Sequence, residues 1–196
     1  MPGLNILQPA PNDSRKERIK NGNSSLWSGS NDLSASVFLE YNEKYFLVKA
    51  VVRDDTRGER SGKMQAFSGD GIELFIDTAI NSNLANNSYD VLTTQVVLGV
   101  PTSDFPEPLC TIKNLRMNTN NPPDLRIVVE NTATGYSAFL AIPWNYLGGL
   151  PASGQIIGFD LALNDSDSKA CEIQMIWSGE KNNWQQRVKF GRLKIK

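Results

Sequence analysis

Apolar and polar side chains alternate along most of this chain in short segments, separated by clusters of Gly, Asn, Asp and Pro. Alternation with a period of two puts successive side chains on opposite faces of a β-strand, and such clusters are typical of the turns between strands. Leu33, Ala35, Val37 and Leu39 share one face of an early segment, and the turn YNEK leads into the next one. The pattern predicts antiparallel strands with one buried face, beginning with a hairpin.

The same pattern continues to the C-terminus. Further strands are predicted at 89–99, 109–115, 125–131, 136–142, 155–164, 171–178 and 187–195. The segment IPWNYLGGL interrupts the alternation and predicts one short helical turn near 143–147, ended by Gly148 and Gly149. About ten short strands favour an all-β fold, a two-sheet antiparallel β-sandwich of the immunoglobulin or jelly-roll type, although a barrel would give a similar pattern.

A chain of 196 residues is long enough for one sizeable core, and we predict a single domain over 19–196. Residues 1–18 are rich in Pro, Asn and charge without any period, which predicts an extended lead-in or linker, with regular order beginning near Leu26. The 20 basic and 21 acidic residues leave a formal net charge of −1. This balance argues against nucleic acid or an anionic membrane as the partner, and a monomer is the default expectation.

The N-terminal segment lacks the apolar centre of a secretory signal, and no stretch approaches the roughly 20 apolar residues that a membrane-spanning helix needs. The sequence alone therefore leaves two locations open. The protein is cytoplasmic, or it is extracellular or periplasmic and its signal is absent from this sequence.

The chain contains no histidine. This removes the side chain most often used for general acid–base catalysis and for ligation of zinc, copper or haem. Cys110 and Cys171 could form one disulfide, but both lie in strand-like segments where a small thiol packs well. Buried free thiols are the favoured interpretation.

Each of the four tryptophans could be a ligand platform or part of the core. Trp27, Trp144 and Trp177 lie beside strands or on the helical turn, where tryptophan is mostly buried, so they are predicted to be structural. Trp184 lies in the polar segment EKNNWQQR, which supplies no apolar cover. Its ring either packs back onto the sandwich or stacks on a ligand such as a sugar, whose hydroxyl rim Asn182 and Asn183 could contact.

Acidic pairs raise the hypothesis of a glycosidase, which needs two carboxylates roughly 5 to 9 Å apart. The candidate pairs are Asp54 with Asp55, Asp70 with Glu73, and Asp165 with Asp167. Each lies at a strand end beside Gly, Asn or Ser, so turn capping is the favoured interpretation. The segment NDSDS also suggests calcium, but it lacks the glycine and distal glutamate of a helix–loop–helix site, so a site assembled from several loops stays open.

In GIELFID the alternation puts Ile72, Leu74 and Ile76 on one face and Glu73 on the other. That second face is predicted to be wet and to carry the carboxylate of Glu73.

Several segments, in this order and spacing, resemble the family 9 carbohydrate-binding modules, a β-sandwich family often appended to secreted xylanases. The resemblance covers nearly the whole chain and is carried by IKNGNSSLWSGSNDLSASVFLEYNEKYFLVKAVVRDD, FSGDGIELFID, GYSAFLAIPWNYL, GQIIGFDLALNDSD, IWSG, NNW and KFGRLKI. It implies a non-catalytic module whose best-known members hold the end of a sugar chain between two tryptophans. It also implies an extracellular setting, and calcium is found in the family.

The resemblance places Trp184 at one of the two clamp positions and Phe67 at the other. Phenylalanine offers less stacking surface than tryptophan and no N–H donor. A clamp of Trp184 and Phe67 is therefore expected to bind a sugar more weakly than a clamp of two tryptophans. Glu73 occupies the position of the family's sugar-binding carboxylate. The predicted carbohydrate-binding residues are therefore Trp184, Phe67, Glu73, Asn182 and Asn183.

The chain departs from the family at three polar positions. Leu92 and Thr94 stand where the family has an arginine and an asparagine, and Ala162 replaces a glutamine. Because buried hydrogen-bonding groups decide which sugar a site accepts, an altered or weakened specificity is expected.

Two other functions compete with sugar binding. Related sandwiches carry haem or transfer electrons, and without histidine the axial ligands would come from Met64, Met117 or Met175, with lysine as a further candidate. A carboxylate-dependent hydrolase is the third hypothesis.

Overall fold

Two antiparallel sheets make up the computed structural model, which describes residues 19–22, 26–81, 85–167 and 173–196. One short helical turn, Trp144–Tyr146, is the only helical element in that part of the chain. The predicted all-β sandwich and its helical turn are therefore confirmed. Residues 1–18, predicted to be a lead-in, lie outside the described residues, so the boundary at residue 19 remains a prediction.

The described strands, in chain order, are β1 (Ile19–Gly22), β2 (Leu33–Tyr41), β3 (Tyr45–Asp54), β4 (Gly71–Asp77), β5 (Thr93–Gly99), β6 (Leu109–Lys113), β7 (Asn118–Asn120), β8 (Arg126–Thr132), β9 (Gly135–Pro143), β10 (Ile156–Asp165), β11 (Ile173–Ile176) and β12 (Gly191–Lys194). The larger sheet has the order β1-β11-β10-β4-β5-β6-β7, and β12 also pairs with β10. The smaller sheet has the order β2-β3-β9-β8.

β11 and β12 pair with different ends of the same strand, β10. β11 pairs with its Ala162–Asp165 end and β12 with its Ile156–Phe159 end. The chain between β11 and β12 therefore leaves the sheet beside Asp160. We call this segment, residues 177–190, the Trp184 loop.

The main core lies between the two sheets. The inward residues of β4, Ile72, Leu74 and Ile76, are buried in one cluster with inward residues of both sheets. A smaller cluster of Phe75, Ala162, Ile176 and Phe190 forms on the opposite face of the larger sheet. We call this opposite face the outer face, and the Trp184 loop packs on it through Phe190.

The three tryptophans predicted to be structural are packed against the main core, which confirms the prediction. Trp144 is buried and its indole N–H donates to the carbonyl of Asn42 at 2.9 Å. The indole of Trp27 donates to the carbonyl of Leu33 at 3.0 Å. Trp177 packs on Phe159 with ring centroids 6.1 Å apart.

Some strand boundaries differ from the prediction. β5 begins at Thr93 because Asp90 makes a turn there, accepting the N–H of Leu92 at 2.8 Å through its side chain. β1 precedes Leu26, where regular order was expected to begin. β7 is short and polar, so it gave no alternating signal.

Cys110 is a buried free thiol, and burial raises its pKa to about 12. Cys171 lies outside the described residues, so its predicted free state remains a prediction. Among the described residues, no helix combines the length and the apolar character needed to cross a bilayer.

Candidate functional site

A pocket of about 670 Å³ opens on the outer face of the larger sheet. The strands contribute Glu73, Phe75, Gln95, Val97, Thr111, Lys113, Asn118, Asn120, Asn164, Ile173 and Gln174. Two loops contribute Met64, Ala66, Phe67, Lys181 and Trp184. Mixed apolar and polar walls of this kind, in a cleft of several hundred Å³, are typical of small-molecule sites.

The loop between β3 and β4, residues 55–70, carries one aromatic side of the pocket, and we call it the Phe67 loop. It is fixed to its surroundings by Arg60, whose guanidinium donates to the carbonyls of Phe105 and Glu107 at 3.2 and 3.0 Å. The N–H of Val100 donates to the carbonyl of Asp70 at 3.2 Å. Phe67 itself is 58% exposed, because these contacts hold the backbone and leave the ring uncovered.

The Trp184 loop carries the other aromatic side of the pocket. Strand register places the two loops at different levels along the strands. The Phe67 loop enters the sheet at Gly71, whereas the Trp184 loop leaves it level with Phe75, the partner of Asp160. These levels are ~13 Å apart along β4, with Glu73 between them. Phe67 and Trp184, the latter 49% exposed, thus line one pocket with Glu73 on its floor.

Asp160 anchors the Trp184 loop. Its carboxylate accepts the N–H of Ser178 at 2.9 Å, the N–H of Gly179, and the side-chain amide of Asn183 at 2.8 Å. The hydroxyl of Tyr89 also donates to the carbonyl of Asn183 at 2.6 Å. Burial raises the pKa of Asp160, while the bonds from Ser178 and Asn183 oppose that rise.

Gly179 fits only because it lacks a side chain. A Cβ at this position would overlap the side-chain atoms of both Asn183 and Asp160. Gly179→Ala is therefore expected to break the anchor and to cost about 1–3 kcal/mol in the free energy of unfolding, measured with urea. Gly62→Ala is the matched control, because a Cβ there meets its nearest atom, in Gln65, at an ordinary 3.5 Å. Equal stabilities of the two variants would contradict this role of Gly179.

Glu73 is the only carboxylate that lines the pocket within the described residues. One of its oxygens accepts the side-chain N–H of Gln95 at 2.8 Å, and the other accepts from Asn164 at 2.9 Å and Gln174 at 3.2 Å. Burial raises the pKa of Glu73, and the hydrogen bonds from Asn164 and Gln95 oppose this rise. The carboxylate is thus part of a connected floor of amides.

The prediction that Glu73 lies on a wet face is wrong. All of β4 is buried, and Glu73 is only 5% exposed. Strand alternation gave the correct face, but the two loops and the neighbouring amides cover it. Phe75 is 1% exposed on the same face, packed against Phe190 of the Trp184 loop with ring centroids 5.8 Å apart.

The two predicted asparagines do not line the pocket. Asn183 is 2% exposed, and its amide is used by Asp160 and by the N–H of Glu180 at 2.9 Å. The carbonyl of Asn182 accepts the N–H groups of Gln185 and Gln186 within the loop. Both residues therefore stabilise the conformation of the Trp184 loop, and we leave them out of the proposed ligand contacts.

Sequence reasoning also missed the polar floor of the pocket. The family resemblance placed Leu92 and Thr94 at ligand-contacting positions of the predicted strand 89–99, but the buried core residue Val96 shares the face of Thr94. Thr94 accordingly points inward and donates to the carbonyl of Tyr146 at 3.3 Å. Gln95 occupies the pocket face instead. Counting the alternation back from Val96 would have identified it.

A cluster of three buried aspartates lies away from the pocket lining. Oxygens of Asp54, Asp70 and Asp165 lie within 4.8 Å of one another, and Asp32, Asp55 and Asp167 form a second such group. Arg57 is the nearby cation, with its Nε 3.3 Å from a carboxylate oxygen of Asp70. Burial raises the pKa of Asp54 to about 6 and, together with neighbouring aspartates, raises those of Asp70 and Asp165 to about 8.

The buried hydroxyl of Tyr136 borders this cluster and has no hydrogen-bond partner among the described residues. The guanidinium of Arg57 lies 4.6 Å from the centre of the Tyr136 ring. Among the described residues, the three buried carboxyl groups carry, when ionised, more negative charge than the guanidinium of Arg57 balances, and they lie beside an unsatisfied polar group. Oxygen ligands drawn from separate segments would suit Ca²⁺. The calcium site assembled from several loops, which the NDSDS segment left open, therefore stays a prediction.

Comparison with known protein families identifies the family of this chain. The family described as "Carbohydrate family 9 binding domain-like" matches residues 13–196. This chain belongs to that family. The resemblance noted in the sequence is thereby confirmed, and a carbohydrate-binding family is consistent with an aromatic-walled pocket over an amide floor.

The family 9 chain is similar to part of larger enzymes. It is 26% identical over 169 residues to an endo-1,4-β-xylanase A of Thermoanaerobacterium saccharolyticum, an alignment that covers 84% of this chain and 13% of the relative. An exoglucanase XynX of Acetivibrio thermocellus is 27% identical, with 84% and 14% covered. The chain spans 13% to 16% of the length of the curated relatives it matches.

A solved structure shares the fold of this family 9 chain. It is a family 9 carbohydrate-binding module from Caldicellulosiruptor kristjanssonii in complex with cellotriose, with a TM-score of 0.61 and 20% identity, covering 91% of this chain and 81% of that one.

Proposed function

We propose that this module binds an oligo- or polysaccharide and catalyses no reaction. The observation that carries the proposal is the pairing of Trp184 and Phe67 as exposed aromatic sides of one pocket over the amide-bonded Glu73. Aromatic faces suit the apolar C–H face of a sugar ring, and amides suit its hydroxyls. A family 9 structure in complex with cellotriose adds support for this class of ligand.

The sequence led us to expect a loss of specificity, and the floor of the pocket changes this expectation. Its amides come from Gln95, Asn164 and Gln174. These three amides share the carboxylate of Glu73, so the floor retains hydrogen-bonding groups despite Ala162. An altered choice of sugar stays the proposal, because Ala162 stands where the family resemblance leads one to expect a glutamine. We do not propose recognition of chain ends.

The competing functions have less support. Met117 and Met175 pack against the main core, whereas Met64 lines the pocket on the outer face, so the three methionines do not converge on one haem site. Glu73 is engaged by three amides, and no second carboxylate lines the pocket within the described part of the chain. A carboxylate pair for hydrolysis is therefore not proposed.

We further propose that the chain acts as a module of a longer extracellular protein. Its relatives are named as a xylanase and an exoglucanase, of which it matches a small part. Its monomeric state also remains a proposal.

Truncation of the clamp tests the proposed function. Trp184→Ala is expected to weaken binding of cellotriose or xylotriose about tenfold or more, because stacking contributes on the order of 1 kcal/mol beyond the buried area. Isothermal titration calorimetry measures the affinity. Phe139→Ala is the control, since Phe139 is an exposed aromatic on β9 of the other sheet.

Absence of binding to neutral and charged oligosaccharides and to insoluble polysaccharides would overturn the proposal. Equal affinities of the wild type and Trp184→Ala would overturn the stacking role, even if a sugar binds.

A further inference from the structure

Two of the residues that line the pocket carry a solvent-exposed charge, and both charges are positive. Lys113 and Lys181 are both exposed, whereas the carboxylate of Glu73 is buried and bonded through both oxygens. No carboxylate among the described residues forms an ion pair with either lysine. Glu180, beside Lys181 in sequence, lies 3.5 Å from the ammonium of Lys189 instead.

The two lysines lie on different sides of the pocket. Lys113 is on β6, which is separated from β4 by β5, and Lys181 is in the Trp184 loop, which leaves the sheet beside β10 on the other side of β4. β6 and β10 are three strand spacings apart, or roughly 14 Å. A ligand bound over Glu73 would therefore have the ammonium group of Lys113 on one side and that of Lys181 on the other.

We propose that the pocket prefers a glycan that carries anionic sugars, with uronic acid carboxylates as the expected groups. Lys113 and Lys181 would attract these groups from either side of the aromatic clamp. This inference rests on the proposed sugar-binding function and deepens it by naming the class of ligand. A lysine ammonium is a compact point charge without the fork geometry of arginine, so a sulfated glycan offers the same attraction.

The expected preference is moderate and sensitive to salt. An exposed ion pair contributes little, but two pairs at an apolar-walled pocket are expected to tighten binding of an anionic oligosaccharide about five- to tenfold at low salt. Screening shortens the range of this attraction to ~3 Å at 1 M ionic strength. The preference should then largely vanish.

Three trisaccharides with the same β-1,4-linked glucan backbone separate charge from shape. Cellotriose is neutral, its C6-oxidised form carries carboxylates, and its C6-sulfated form carries sulfates. Titration calorimetry in 20 mM and 1 M NaCl would give affinities for the wild type and for Lys113→Gln/Lys181→Gln. Lys49→Gln is the control, because Lys49 is exposed on β3 of the other sheet.

The expected result is tighter binding of the oxidised trimer than of cellotriose at low salt, with the difference lost in the double variant and kept in Lys49→Gln. Affinity for cellotriose should change far less in the double variant than affinity for the oxidised trimer does. Tighter binding of the sulfated trimer alone would assign the site to sulfate. Equal or weaker binding of both charged trimers would overturn the inference while the proposed function stands. Binding of no trimer, although another saccharide binds, would have the same result, and absence of binding to any saccharide would overturn both.

Discussion

Arg187→Met is expected to lower the free energy of unfolding by about 3–5 kcal/mol, because it leaves a buried carboxylate without its partner. Arg187 is 1% exposed, and its guanidinium pairs with Asp77, which is fully buried. A second nitrogen lies 3.7 Å from Asp90, and Nε donates to the carbonyl of Asn86 at 3.1 Å. For a chain of this size the loss corresponds to a drop of roughly 10 °C in the melting temperature.

The loss is expected to depend on pH. Burial already raises the pKa of Asp77, and Arg187 opposes that rise. Without Arg187 the pKa of Asp77 rises further. A carboxyl group whose pKa is raised by folding costs stability as the pH climbs from its unfolded value through its folded value. Urea unfolding should therefore show a larger deficit for Arg187→Met at pH 8 than at pH 5.

Two further variants make this prediction specific. Asp77→Asn/Arg187→Met leaves no unpaired carboxylate at position 77, so it should recover part of the lost stability and the pH dependence should shrink. Arg116→Met removes an exposed arginine from the turn before β7 and should change stability by less than about 0.5 kcal/mol. If Arg187→Met matched Arg116→Met in stability, the buried pair of Arg187 and Asp77 would not be what holds the Trp184 loop to the end of β4.

The sequence predicted the sandwich because alternation is a local signal. Each strand of the core shows its inward face within a few residues, as Ile72, Leu74 and Ile76 do. The same argument placed Glu73 on the opposite face, which is correct. It could not show that this face is covered, because much of the cover comes from distant parts of the chain, namely the Trp184 loop and the amides of neighbouring strands.

The floor of the pocket was not predictable for a related reason. Glu73 meets Gln95, Asn164 and Gln174 only because β4 lies between β5 and β10, and β10 lies between β4 and β11. No short-range pattern reports that order of strands. The family resemblance supplied the positions of Phe67, Glu73 and Trp184, but it did not lead to the three amides on the floor of the pocket.

The aspartate cluster was also not predictable from local sequence patterns. Asp54, Asp70 and Asp165 each looked like a turn residue in its own segment, and the hydrogen bonds partly support this. Asp54 accepts the N–H of Thr56 at 3.1 Å, as a turn residue does. Asp70 instead accepts the N–H groups of Gly58 and Ser166, at 2.8 and 2.9 Å, from other segments. Only the fold brings the three carboxylates together in the interior. There burial, together with the repulsion among the three carboxylates when they are ionised, raises the pKa values of Asp70 and Asp165.

Addition of Ca²⁺ is therefore expected to raise the melting temperature of the protein, and a chelator is expected to reverse the rise. A ligand that binds only the folded state at 100 times its Kd stabilises it by about 2.7 kcal/mol, which for a chain of this length corresponds to roughly 5–10 °C. Differential scanning calorimetry with 1 mM Ca²⁺ or with EDTA measures the difference. Mg²⁺ should give a smaller rise, because it requires stricter octahedral geometry.

Asp165→Asn separates a bound cation from simple relief of repulsion. Removing one of three close carboxylates reduces their repulsion, so the variant in EDTA should be at least as stable as the wild type in EDTA. It should also lose most of the response to Ca²⁺, whereas Glu130→Gln, an exposed site on β8, should keep it. A melting temperature of the wild type that is the same with Ca²⁺ and EDTA would mean that protons balance Asp54, Asp70 and Asp165, consistent with their raised pKa values.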